Sequence, residues 1–198
     1  MPTLRRSGSL GAVAIALLAP GFVRADVADS AANGFTVKLV LTIPAPPQVV
    51  YQRLVHNIGD WWDPAHTFSG DAQNLSIDDK PMGCFCEKLP HGGGVRHLEV
   101  VNVDPEKVLV LTGGLGPLQA MAVTGSLTIQ LAPLRDDGTK VAVTYTVGGY
   151  SPDGLSALAA PVDAVLTQQF MRLKSFVQTG RPLSKNHRLE GGGCSNGL

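Results

Sequence analysis

The sequence predicts an α+β domain in which a curved antiparallel sheet of about six or seven strands buries one face against a long C-terminal helix. Three observations carry that expectation. Segments between residues 35 and 150 alternate apolar and polar side chains at period two, as half-buried strands do. Gly, Pro and Asp turns separate them. Residues 155–179 then switch to three- and four-residue spacing of apolar side chains, the pattern of one long amphipathic helix. The chain has 198 residues, 44% hydrophobic and 16% charged, which is ample apolar content for a single core.

Taken in order, "FTVKLVLTI" (35–43) sets Phe35, Val37, Leu39, Leu41 and Ile43 against Thr36, Lys38, Val40 and Thr42, a strand with one buried face. "IPAPP" ends it, and the prolines suit the first turn of a helix through "PPQVVYQRLV". "NIGDWWDPAHTF" follows as a short helical or irregular segment and "NLSI" as a brief strand. "GCFCEKL" and "GVRHLEVVNV" form a hairpin around a Gly-rich turn. "DPEK" turns the chain into "KVLVLTG", and "GSLTIQLAPL" and "TKVAVTYTVGGY" pair around "RDDG". In the terminal helix Leu155, Leu158, Ala159, Val162, Leu166, Phe170, Leu173 and Val177 make the inner stripe, and Gly180 stands at the C-cap. Pro161 either lies in the first turn or bends the helix; the spacing is read as a helix from about 156 to 179 with a kink.

The ends differ from the middle. Residues 1–25 carry Arg5, Arg6 and Arg24, no acid, and the apolar run "LGAVAIALLAPGFV" before "VRA". Basic residues, an apolar stretch and small residues before a cut after Ala25 define a secretory leader. The run is too short and too broken by Pro20 and Gly21 to span a membrane stably. Export, to a periplasm or the outside, is the expected location. Residues 26–34 read as a linker, 35–180 as the folded domain and 181–198 as a disordered tail. Without the leader the chain holds 13 basic and 16 acidic residues. No basic patch or stripe emerges, so nucleic acid is not an expected partner.

"GCFCEKLPHGGGVRH" (83–97) holds the densest set of reactive side chains. As metal ligands Cys84, Cys86, His91 and His97 have suitable types, but their spacing matches no compact zinc module, so neither a metal nor another cofactor is expected. The cysteines lie two apart on a strand, a poor geometry for pairing, and no disulfide is expected. Pleating sets Phe85, Glu87 and Leu89 opposite Cys84, Cys86 and Lys88. With five loop residues (90–94), Leu89 pairs with Val95, Glu87 faces His97 and Phe85 faces Glu99. A four-residue loop with a slip would instead set Cys86 against His97, because one residue of slip exchanges the faces. Hydrophobic agreement favours the first register. It points Glu87, His97 and Glu99 into the concave side and the cysteines out.

The order and the segments "IPAPPQVVYQRL", "WWDPAHTFSGDAQNLSID", "GCFCEKLPHGGGVRHLEVVNVDPEKVLVL" and "VTYTVGGY" with its following helix resemble the START-like (SRPBCC) superfamily, over about residues 35–180. The likeness is to the branch grouping polyketide cyclase-like proteins with homologues of heat-shock ATPase activators. It implies a helix-grip fold, with a cavity between sheet and helix suited to a small apolar or amphipathic molecule. Members range from lipid carriers to cyclases, so the fold alone does not fix the chemistry.

Phe85, Glu87, His97 and Glu99 then become candidate cavity residues, joined by His66 at the mouth, Trp62 as core or lid, and Tyr145 as a wall donor. A Glu87–His97 pair on an apolar concave face is a structural hydrogen bond, a ligand-positioning group, or a general acid–base pair. The expected function is ligand binding, with a cyclase-like enzyme and a protein-interaction module as alternatives. The oligomeric state is not legible.

Overall fold

The computed structural model describes residues 24–184. Residues 1–23 of the expected leader (1–25) and the tail from 185 on, with Cys194, lie outside the described residues; Arg24 and Ala25, read as the end of the leader, open the first strand. Eight antiparallel strands form one sheet in the order β1-β2-β8-β7-β6-β5-β4-β3. They are β1 (Arg24–Ala31), β2 (Gly34–Ile43), β3 (Leu75–Ile77), β4 (Cys84–Lys88), β5 (Gly94–Asp104), β6 (Val108–Thr112), β7 (Ala122–Pro133) and β8 (Thr139–Tyr150). Helices α1 (Pro47–His56) and α2 (Ile58–Trp61) follow β2, and α3 (Ala159–Thr179) closes the domain. Helix α3 packs on β2, β1, α1 and α2.

The alternation in β2 is realised fully: Phe35, Val37, Leu39, Leu41 and Ile43 are all buried. Opposite them on β8 lie Val141, Val143, Tyr145 and Val147, also buried, in an unbroken register from Gly34↔Gly148 to Ile43↔Thr139. Strands β7 and β8 pair over twelve residues each. Helix α3 lies over the β1–β2 side of this sheet, and Leu166, Phe170, Leu173 and Phe176 of the helix are buried.

Four expectations need correcting. The segment read as a linker (26–34) is mostly β1, an edge strand paired with β2. Small and polar side chains hide such a strand, because its ladder is made by backbone groups and its side chains need no alternation. With it the strand count rises to eight rather than six or seven. Helix α3 starts at Ala159, after a 3-10 turn over Ser156–Leu158. Pro161 therefore sits in its first turn, where the missing N–H has no intrahelical acceptor to lose, and there is no need of a kink. Residues 181–184, read as part of a disordered tail, lie against α3: Ser175 Oγ donates to the Arg181 carbonyl at 2.9 Å, and the Arg172 guanidinium donates to the Leu183 carbonyl.

The fourth concerns the cysteines. Cys84 and Cys86 form a disulfide, contrary to expectation. In an ordinary strand Cα atoms two residues apart are separated by about 6.6 Å, near the upper limit for a disulfide. Here they are 5.4 Å apart, because the strand is contracted next to a register shift between Phe85 and Cys86. Bonded to each other, neither sulfur is a thiolate ligand. Because the ring closes over a single residue, Cys84→Ser with Cys86→Ser should cost only about 1–2 kcal/mol. Urea denaturation of the double variant beside the wild type measures it.

Candidate functional site

The β4–β5 hairpin departs from ideal pairing, and that departure builds the site. Glu87 pairs with Val95 and Cys86 with Arg96, but Phe85 pairs with Leu98, so His97 is the extra residue of a β-bulge. A second shift lies between Val100 and Asn102. The expected direct pairs of Glu87 with His97 and Phe85 with Glu99 are therefore replaced by this bulged register. Its effect is to turn both His97 and Leu98 inward and to bury them. After the bulge the phase is inverted: Leu98 and Val100 face the core, whereas Glu99 and Val101 face away. Glu99 thus lies on the convex side, opposite Cys84, where it pairs with Arg96 at 2.8 Å. It is not a cavity residue, and an exposed pair of this kind contributes under about 1 kcal/mol.

Glu87 and His97 meet inside, both at most 4% exposed. His97 Nε2 lies 2.9 Å from Glu87 Oε2. The carboxylate accepts two further bonds, from Phe68 N–H at 3.1 Å and Ser69 N–H at 2.5 Å. Burial pushes its pKa up, but the bonds from Ser69, Phe68 and His97 outweigh burial and hold it below the ordinary value. Glu87 is therefore an anion, and Nε2 is the donor of the pair. The His97 ring stacks near Phe68 (centroids 5.8 Å apart) and tilts against Phe85 (5.0 Å). Burial lowers its pKa, and Glu87 only partly compensates, so the ring is neutral at neutral pH. Its other nitrogen, Nδ1, is buried without a protein partner.

Both shifts give acid lability. The unfolded chain takes up a proton on its histidine near pH 6.5, before folded His97 does, so stability present above that pH is lost as pH falls through this window. Glu87 adds to the loss below about pH 4.5, where the unfolded carboxyl protonates first. Asp163, raised by burial and by Asp26, acts with the opposite sign at low pH. Thermal melts should therefore hold level above pH 7 and decline below about pH 6.5, and His97→Phe should remove the upper part of the decline.

His97 forms part of the wall of a cavity of about 340 Å³ between sheet and helix. Its other walls are Trp62 and residues 65–68, Leu115–Leu118, Tyr145, and Leu158, Pro161, Val162, Val165 and Leu166 from the α3 end. The volume falls in the lower part of the range of small-molecule sites, about 300–1,000 Å³. The wall is apolar except for His66, Thr67, His97 and Tyr145.

Each wall is fixed by identifiable contacts. The "WWD" segment is clamped to α3. Asp63 N–H donates to Gln169 Oε1 at 2.8 Å, Gln168 donates to the Asp63 carboxylate at 2.9 Å, and Arg172 donates to the Trp61 carbonyl at 2.8 Å. Trp62 Nε1 donates to the His66 carbonyl at 3.0 Å, and its ring meets Phe85 edge-on at 5.3 Å. His66 is at the exposed mouth with Nε2 3.3 Å from Gln168 Oε1. Phe85 backs His97 and Trp62 from the core rather than facing the cavity. Phe68, 53% exposed, covers the mouth.

Tyr145 differs in role from the wall donor that the sequence implied. Its hydroxyl donates to the Gly113 carbonyl and accepts from Leu115 N–H, both at 3.0 Å, so it anchors the 113–121 rim and offers the cavity only its ring. Burial, partly countered by the Leu115 bond, raises its pKa to about 12. Gly125 leaves the space the ring needs, since a Cβ there would lie 2.7 Å from it, and Gly113 has φ +136°, which favours glycine. Tyr145→Phe leaves two part-buried backbone groups without their partner and should cost about 1–2 kcal/mol. Amide exchange at 113–118 should quicken more than elsewhere in the sheet.

Phe68, Val165 and Pro161 were not foreseen as cavity residues, whereas the glycine-rich segment 113–121 reads from the sequence as a rim and does supply Leu115 and Leu118. The helix stripe predicted burial for Leu158, Val162 and Leu166, but nothing in period alone distinguishes packing on the sheet from lining a space. Phe68 had a weak signal, a lone aromatic in the polar run "AHTFSGD". Among the described residues no group of three or more His, Cys, Asp or Glu side chains is placed to hold a metal ion, and no helix is long and apolar enough to cross a membrane.

This architecture, a curved antiparallel sheet gripping a long terminal helix above a cavity, is the helix-grip fold, and solved structures share it. The conserved protein of unknown function EF2215 from Enterococcus faecalis is 15% identical, with a TM-score of 0.56 over 84% of this chain and 81% of that one. CalU16 from Micromonospora echinospora is 11% identical, with a TM-score of 0.51 over 81% and 86%. Ara h 8.0201 is 18% identical, with a TM-score of 0.51 over 74% and 99%. At these identities the likeness is one of fold. No family model matches the chain, and no curated protein matches it.

Proposed function

We propose that this chain is an exported protein that binds one small apolar or amphipathic molecule in the cavity between its sheet and α3. The observation that carries the reading is the apolar cavity of about 340 Å³ between sheet and helix, with His97 among the side chains of its wall. Protein interiors are close-packed, so an apolar space of that size is the kind of concavity in which small molecules bind. The basic and apolar character of residues 1–25 supports export, as does the Cys84–Cys86 disulfide, which persists in oxidising compartments.

The second reading is an acid–base enzyme in the same cavity, in keeping with the sequence likeness to polyketide cyclase-like proteins. One feature favours it: a neutral imidazole held by a buried carboxylate is the arrangement of an oriented general base. A protein-interaction role like that of the ATPase-activator homologues fits less well, because export separates the chain from cytosolic ATP-driven chaperones. Titration with an environment-sensitive apolar fluorophore tests the first reading. Saturable binding at one site, blocked by filling the cavity, supports it, and binding that survives with the cavity filled would refute it. Turnover of a bound carbonyl compound, lost in His97→Phe, would favour the enzyme instead.

A further inference from the structure

The Cys84–Cys86 disulfide ties no distant parts of the chain together. Its ring closes over Phe85 alone, so it removes little freedom from the unfolded chain. Strand β4 is already fixed by backbone ladders to β3 on one side and β5 on the other. The bond is therefore of small use as a structural staple.

What it does hold is a local shape. The Cα atoms of Cys84 and Cys86 stand 5.4 Å apart, where an extended strand would space them at about 6.6 Å. This shortened stretch lies directly across from the β5 bulge, where Arg96, His97 and Leu98 stand against Cys86 and Phe85. Phe85, inside the ring, is buried and meets the His97 ring at 5.0 Å and the Trp62 ring at 5.3 Å. The two cysteines take the opposite face of the strand and are only half-buried. A disulfide that is partly exposed and adds little to the fold belongs to the reducible kind.

We infer that Cys84–Cys86 is a redox site. In the folded protein a small thiol opens it and a small disulfide re-forms it, and opening lets β4 lengthen and the bulge at His97 relax. The thiolate of the reductant attacks one Sγ, the S–S bond breaks and the other Sγ leaves as a thiolate; a second thiol then displaces the first. Two thiols become one disulfide, and the protein gains two electrons and two protons. Arg96, the cross-strand neighbour of Cys86, offers a positive charge, shared with Glu99, to a thiolate formed there.

Exchange in glutathione buffers tests it, on Cys194→Ser protein without denaturant, so that this pair alone reacts. At the poise of an oxidising compartment both forms should be present, neither below about 1%, as read by acid quenching, alkylation and intact mass. In nitrogen-15 spectra the His97 and Leu98 amide resonances should move on reduction and the Phe85–Leu98 cross-strand contact should weaken, while β7 and β8 keep their resonances. A pair that stays more than about 99% in one form, or opens only with denaturant, overturns the inference. So does a reduced protein whose His97 and Leu98 resonances stay in place.

Discussion

Glu87→Ala should lower the unfolding free energy by about 3–5 kcal/mol, a loss on the scale of truncating a buried aromatic core residue. The carboxylate is buried and receives three donors, from His97, Phe68 and Ser69, drawn from two separate parts of the chain. Truncation leaves a buried imidazole N–H and two part-buried backbone amides without acceptors; an unsatisfied buried group costs about 1–3 kcal/mol, a part-buried one less. The loss should be greater than that of Glu87→Gln, which keeps one carbonyl oxygen for part of the set. Because residues 68 and 69 lie at the cavity mouth, the same change should loosen Phe68 and weaken ligand binding. Urea denaturation, with amide exchange at Phe68 and Ser69, measures both consequences; a loss below about 1 kcal/mol would deny Glu87 its organising role.

Val162→Trp should abolish ligand binding, by at least about a hundredfold, with little change in stability. Val162 projects from the first turns of α3 into the cavity wall and is only partly buried. Overpacking usually costs about 1–3 kcal/mol because a close-packed core must deform. Here the added indole has space to enter, so the cost should stay within about 1 kcal/mol. The variant therefore separates the cavity from the fold, which Glu87→Ala does not. Calorimetric titration and thermal melting, run together, check the separation.

The fold was legible wherever side chains had to choose a face. Phe35 to Ile43 and Leu155 to Val177 each declared a period, and each segment buries its apolar side. Strand β1 was invisible because "RADVADSA" pairs through its backbone at the sheet edge and carries no alternating face. The hairpin was half legible. Glu87 and His97 were expected to share the inner face and they do, but through a bulge rather than as a direct cross-strand pair. The run "HLEVVNV" tolerates either phase, since Leu98 and Val100 are as apolar as Val101 and Val103. Without a bulge Glu99 faces inward; with it, Leu98 and Val100 do, which buries more apolar surface and frees Glu99 for Arg96. The same contraction near Phe85 brings the cysteines within bonding range. Tyr145 illustrates a different gap: its position on the inner face was readable, but its hydroxyl partners come from a loop whose path no local pattern specifies.

The most direct test of a ligand-binding cavity is native mass spectrometry of the protein recovered from the cell envelope or medium of cells that make it, wild type and Val162→Trp side by side. The expected spectrum shows the wild type carrying one small-molecule mass that dissociates on activation and is absent from Val162→Trp. A wild type of bare polypeptide mass, or an adduct retained by both proteins, would contradict binding in this cavity.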